Sequence, residues 1–239
     1  MLIGATGITW QRMVLDRRWA LFAEHRETYW VMAVAVAAGL LYAARFAGSE
    51  GIVPALGEGL FSAISIVSTT GFETRPAGLA ALPDPLVLIL AMAGAASLST
   101  AGGIKFYRIG AMVVQASHEL KRVIFPHSVR STRFGSQPYD LNRMKAIWAS
   151  LGLSLVVIMT AALVLALALP SFDAAFIATI SAFSNIGPLY SPEWPIGAAW
   201  PRYGAFADWA KLVMVATMIL GRLEVIVFFA AINPTHWRS

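Results

Sequence analysis

The chain contains no cysteine in 239 residues. That absence excludes disulfides, zinc–thiolate sites and thiol catalysis. Charge is also scarce: 13% of the residues are Asp, Glu, Lys or Arg, about half of the ~25% usual in soluble domains. With 58% hydrophobic residues and a mean hydropathy of +0.67, most of the chain must face lipid or other apolar helices. The composition defines a polytopic membrane protein. No compact apolar leader with a small-residue cleavage site opens the chain, so no signal peptide is expected. Neither the Gly-x-x-x-x-Gly-Lys-Ser/Thr loop of ATPases nor the Gly-x-Ser-x-Gly elbow of serine hydrolases occurs. His25, His118, His127 and His236 lie at or beyond the ends of apolar runs and face no plausible nucleophile. No catalytic residue and no cofactor is expected, so the chain reads as a non-enzyme.

Four apolar runs are near the roughly 17 to 25 residues that a spanning helix needs: residues 29–46, 85–103, 146–169 and 212–232. Basic charge lies on one side of them. Arg12, Arg17, Arg18 and Arg26 precede the first run, and Lys105, Arg108, Lys121, Arg122, Arg130, Arg133, Arg143 and Lys145 fall between the second and third. Only Glu119 and Asp140 oppose that second group. The positive-inside rule then places the N-terminus, the central linker and the C-terminus in the cytoplasm. Lipid headgroups and topogenesis account for the basic linker, so no nucleic-acid partner is expected.

One segment is written twice. Ile64, Ser65, Ser68 and Gly71 in residues 60–71 align without a gap on Ile180, Ser181, Ser184 and Gly187 in residues 176–187. Each copy reads as a short apolar helix ending in Ser-x-x-Gly between longer apolar runs. A helix too short to cross a bilayer, followed by small polar residues, suits a re-entrant loop; irregular backbone at membrane depth survives only where protein buries it or water fills the space beside it. The expected organisation is an N-terminal segment (residues 1–25), a helix–pore-loop–helix repeat (26–117), a basic linker (118–140) and a second repeat (141–239). A carbonyl-lined filter in this style needs about four loops, and the chain supplies two.

Three sets of residues are candidates for the chemistry. Ser68, Thr69, Thr70 and Gly71, with Ser184, Asn185, Ile186 and Gly187, would supply inward-facing carbonyls, the glycines allowing positive φ. Either glycine alone would suit an ordinary turn; the matched pair argues for a filter. Gly94, Ser97, Ser99, Thr100, Gly102 and Gly103 interrupt the second run with residues that propagate helix weakly. That composition suits a flexible plug, and it equally suits small-residue helix packing. Arg222 and Glu224 sit in the last apolar run, where a charge faces a cavity, a permeation path or a structural partner.

Ser68-Thr69-Thr70-Gly71-Phe72, Ser99-Thr100-Ala101-Gly102-Gly103-Ile104-Lys105, Glu119-Leu120-Lys121-Arg122, Gly221-Arg222-Leu223-Glu224 and the tail Pro234-Thr235-His236-Trp237-Arg238 resemble the second half of Trk-type potassium uptake proteins of the Trk/Ktr/HKT superfamily. The resemblance covers nearly the whole chain, with its motifs in order. It implies an all-α membrane fold, the third and fourth repeats of a pseudo-fourfold cation pore, and homodimers of complete subunits. It also implies a bacterial inner-membrane location and a cytoplasmic nucleotide-binding regulatory subunit. By position, Gly71 and Gly187 become the filter glycines, with K⁺ (or competing Na⁺) bound at the eight loop residues. Residues 94–103 become an intramembrane gating loop, and Arg222 becomes the arginine projecting into the pore beside it. The first two repeats have no counterpart here. The expected function is therefore K⁺ uptake as part of a Trk-type transporter, completed by first-half repeats or by a second copy. The rivals are a truncated non-conducting subunit and a two-repeat protein that dimerises into a whole pore.

Overall fold

A computed structural model describes residues 1–17, 26–74, 78–97, 99–124, 133–134, 137–138, 141–191 and 200–223. Glu224, the 234–238 tail and much of the basic linker lie outside the described residues. The fold is all-helical apart from a two-residue antiparallel ribbon in the linker, β1 (Arg133–Phe134) with β2 (Gln137–Pro138). Two short helices open the chain, α1 (Leu2–Ala5) and α2 (Ile8–Leu15). There follow α3 (Arg26–Glu50), α4 (Ile52–Val67), α5 (Asp84–Ala93), α6 (Phe106–Ile124), α7 (Leu141–Leu165), α8 (Phe172–Ser184) and α9 (Asp208–Arg222).

Length sorts these helices. The apolar stretches 27–48 of α3 and 144–165 of α7 each run 22 residues, with mean hydropathies of 1.7 and 2.2. At 1.5 Å per residue they reach about 33 Å, enough for a hydrocarbon core of about 30 Å. The short helices α4 and α8 have 16 and 13 residues, or about 24 and 20 Å, and fall short of a span. Helix α4 starts well before the expected residue 60, because Gly51, with φ 85°, turns the chain immediately after α3.

Residues 85–103 do not form one spanning helix, contrary to the run read from composition. Helix α5 starts on Asp84-Pro85, with proline in the first turn where its missing N–H costs nothing, and stops at Gly94, whose φ of 65° is closed to most side chains. No helix is assigned among the described residues between 94 and 105, and α6 then carries the chain past the expected linker start at His118 to Ile124.

Close backbone approach holds α3 to α4. A Cβ on Gly59 would lie 2.5 Å from both Gly39 O and Ala43 N. Ala35, Ala43, Ala55 and Ala63 are all buried around this contact. Small residues at four-residue spacing bring helices together where lipid gives no hydrophobic drive between them. Helix α8 is the centre of the second unit. Every residue from Ala174 to Ser184 except Phe176 is buried, as expected of a helix apolar all round. It packs against α5, α7 and α9. Its start is fixed by Ser171, whose Oγ accepts from Ala174 N–H at 3.2 Å, a side-chain N-cap.

Candidate ion-binding site

The two short helices end in the same way. In α4, Thr70 N–H donates to Ser65 O (2.9 Å) and Thr69 N–H to Ile66 O (2.9 Å). In α8, Ile186 N–H donates to Ser181 O (2.9 Å) and Asn185 N–H to Ala182 O (3.1 Å). This paired bonding is a Schellman end, which requires one left-handed residue just past the helix. Thr69 (φ 54°) and Asn185 (φ 57°) fill that role, at aligned positions of the repeat. The aligned serines then hold the loops that follow: Ser65 Oγ donates to Phe72 O at 2.7 Å, and Ser181 Oγ to Ile186 O at 2.6 Å.

The expected backbone role of the two glycines is met at only one of them. Gly71 has φ 78°, whereas Gly187 is not among the positive-φ residues and opens a 3₁₀ turn, Gly187–Leu189. The left-handed residue falls two positions earlier because the Schellman end, and not the glycine, terminates each helix. The loops meet at Gly71: a Cβ there would lie 2.8 Å from Ile186 Cγ2 and 2.9 Å from Pro188 Cδ.

The broken segment after α5 lies against both helix ends. Gly102 N–H donates to Thr69 Oγ1 at 2.9 Å in a buried contact. A Cβ on Gly102 would overlap the carbonyl of Ser184. Gly102 is thus wedged between the first loop and the second. The segment is folded back on α5: Ile104 N–H donates to Met92 O at 2.9 Å and Phe106 N–H to Ala95 O at 3.0 Å, with Gly103 at φ 82°. Lys105 Nζ donates to the carbonyls of Ser99 and Ala101. Ser97 and Thr100 bond elsewhere, to Glu27 and to the N-terminal segment.

Ser68 Oγ and Thr70 Oγ1 are 2.7 Å apart and share a hydrogen bond. Among the described residues, no donor meets the carbonyls of Ser68, Thr69, Thr70 or Gly71. In the second loop, Ser184 Oγ is buried and has no partner among them. The Gly187 carbonyl accepts from Tyr203 OH at 2.9 Å, and Tyr203 OH is 2.9 Å from Ser181 Oγ. Each hydroxyl has one proton: with that of Ser181 committed to Ile186 O, Tyr203 OH shares its own between the Gly187 carbonyl and Ser181 Oγ. Burial pushes the Tyr203 hydroxyl up to about 12, so it stays protonated. Tyr203 packs on Tyr190 and Phe206, and Tyr190 stacks on Trp200. Sequence reasoning missed this brace. Its only signal was the aromatic run in 200–206, whose partner lies about twenty residues upstream.

Arg222 is exposed on the last turn of α9 and has no partner among the described residues. Its neighbour Gly221 packs against the Phe183 carbonyl, which sets that turn beside the end of α8. No group of three or more His, Cys, Asp or Glu occurs among the described residues. Any cation here would be met by backbone carbonyls and hydroxyls, ligands suited to hard cations with no transition-metal character.

Two long apolar helices, each followed by a shorter one, and a broken segment wedged against the short-helix ends define an all-helical membrane protein. The chain belongs to the TrkH family of cation transport proteins, whose profile matches residues 53–236. It is 29% identical over 186 residues to the Trk system potassium uptake protein TrkH of Salmonella typhimurium, covering 77% of this chain and 37% of that protein. It is 30% identical over 188 residues to TrkH of Vibrio parahaemolyticus, with the same coverage. The crystal structure of the potassium transporter TrkH from Vibrio parahaemolyticus superposes with a TM-score of 0.80 at 25% identity, over 99% of this chain and 51% of that one. The chain therefore spans 37% of the length of these sequence relatives and about half of the solved structure.

Proposed function

We propose that this chain forms one half of a pseudo-fourfold K⁺ uptake pathway in the bacterial inner membrane, with both termini cytoplasmic. The observation that carries the reading is the matched pair of Schellman ends, whose loops touch at Gly71 and share Gly102 beneath them. Ser68, Thr69, Thr70, Gly71, Ser184, Asn185, Ile186 and Gly187 supply carbonyls that replace an ion's hydration shell. The first loop is the better prepared, since no donor among the described residues meets its four carbonyls. Residues 94–103 act as the gate, and the Arg222 charge at the end of α9 slows cation passage. The basic α6 and linker support the cytoplasmic assignment and offer a docking face for a nucleotide-binding regulatory subunit. First-half repeats complete the ring, and complete subunits pair as homodimers; no cofactor takes part in the transport step.

The test is K⁺-uptake complementation, with and without a supplied first half. Growth at limiting K⁺ only with the first half is expected, and Arg222→Ala should increase cation leak in that assembly. No rescue in either case, with both parts confirmed in the membrane, would overturn the reading. Rescue by the chain alone as a dimer would transfer it to the two-repeat assembly.

A further inference from the structure

The broken segment is held by residues well before it in the chain, in the N-terminal segment and at the start of α3. Three of its amide N–H groups are satisfied by residues far off in sequence. Ala96 N–H donates to Ala5 O (3.1 Å), Thr100 N–H to Gly4 O (3.2 Å) and Ser97 N–H to Glu27 Oε1 (2.6 Å). Thr100 Oγ1 adds a bond to Gly4 O at 3.0 Å. The fit is close: a Cβ on Gly7 would lie 2.9 Å from Ser97 O, and one on Gly4 would lie 3.0 Å from Thr100 Oγ1. Ala5, Ala95 and Ala101 bury one another in a small cluster of their own, apart from the main core. Between α3 and α6, next to Glu27, a cavity of about 230 Å³ is walled by Trp30, Phe106, Ile109, Gly110, Val113 and Val114.

We infer that Glu27 and the backbone of residues 4–7 form a latch that positions residues 94–105 under the two short-helix ends, and that Glu27 is its main positioning residue. An irregular segment at membrane depth needs partners for every amide, and neither α5 nor α6 supplies them for Ala96, Ser97 and Thr100. The carboxylate bond is the strongest of the set because its acceptor is charged. Releasing it frees the Ser97 amide in the middle of the segment. The consequence for flux rests on the proposal that this segment is the gate; the positioning itself does not.

Hydrogen–deuterium exchange on the purified full chain in lipid nanodiscs tests the latch, read on peptides covering residues 94–105. Glu27→Ala should raise exchange there about tenfold or more, with peptides from α8 and α9 unchanged. Glu27→Gln keeps an acceptor oxygen and loses only the charge, so it should stay within about threefold of the parent. This arm separates the latch from the favourable effect of an acid in the first turn of α3. Thr100→Val, a change at an exposed position, removes one bond and should raise exchange in the same peptides even if Glu27→Ala folds poorly. Unchanged exchange in Glu27→Ala and Thr100→Val, or equal acceleration by Glu27→Gln and Glu27→Ala, would overturn the latch. In an assembly that conducts, Glu27→Ala should also increase K⁺ leak. Faster exchange with unaltered leak would uphold the latch and sink the gate assignment instead.

Discussion

Thr69 carries a β-branched side chain at φ 54°, a conformation that such residues rarely adopt and that costs of the order of 1–3 kcal/mol. The repeat uses Asn185 at the same place, a residue that tolerates the left-handed region better. What Thr69 supplies is its hydroxyl, which receives the buried Gly102 N–H. Thr69→Val keeps the shape and strands that donor, so it should lower stability by about 1–3 kcal/mol in thermal unfolding of the detergent-purified chain. An unshifted midpoint would show that Gly102 N–H has another partner. The glycines divide along similar lines. Nothing lies within 4 Å of a Cβ on Gly187 and its φ is ordinary, so Gly187→Ala should change stability by no more than about 0.5 kcal/mol. Any effect of that variant on K⁺ over Na⁺ flux then reports the pathway and not misfolding. Gly102→Ala drives a methyl into the Ser184 carbonyl and should cost about 1–3 kcal/mol or more. Equal thermal midpoints for the two alanine variants would refute the wedge.

At the scale of elements, the interface of α3 with α4 rests on contact between backbones. Gly59→Val would push its side chain into Gly39 O and Ala43 N, separating the helices that carry the first loop. Loss of cooperative unfolding or a stability loss of about 1–3 kcal/mol is expected, and a neutral result would mean that the pair has room to slide. Both short helices were legible in the sequence, because the Ser-x-x-Gly ends recur in register between apolar runs. So was the interruption at residues 94–103, since its glycines and hydroxyls weaken helix whatever surrounds them. The extension of α6 to Ile124 was not, because α6 mixes Lys121 and Glu119 with Val113 and Leu120 and so does not read as an apolar run. The left-handed roles of Thr69 and Asn185 escaped because Gly71 and Gly187 are the more obvious candidates for positive φ. The latch escaped because Gly4 meets Thr100 across 96 positions, a pairing that no local pattern encodes.

At the scale of the whole molecule, the exposed helix faces and the loop carbonyls make different demands. Trp30, Val36, Leu40 and Leu41 on α3 and Val156, Met159 and Leu163 on α7 are exposed, as lipid-facing or partner-facing helices require. The loop carbonyls of residues 68–71 have a different need. Left beside hydrocarbon, each unsatisfied group costs several kcal/mol, so these carbonyls call for water within a closed ring or for further protein. Two loops cannot close a ring that needs about four. The chain reconstituted alone should therefore show no K⁺-selective flux as a monomer, and adding first-half repeats should restore it. Mass photometry of the sample used for liposome flux checks both statements together. Selective conduction by particles of 25.7 kDa protein mass would refute the need for a partner. Conduction confined to particles of twice that mass would place two copies of the same two loops, four loops in all, around one axis, and would make this chain its own missing half.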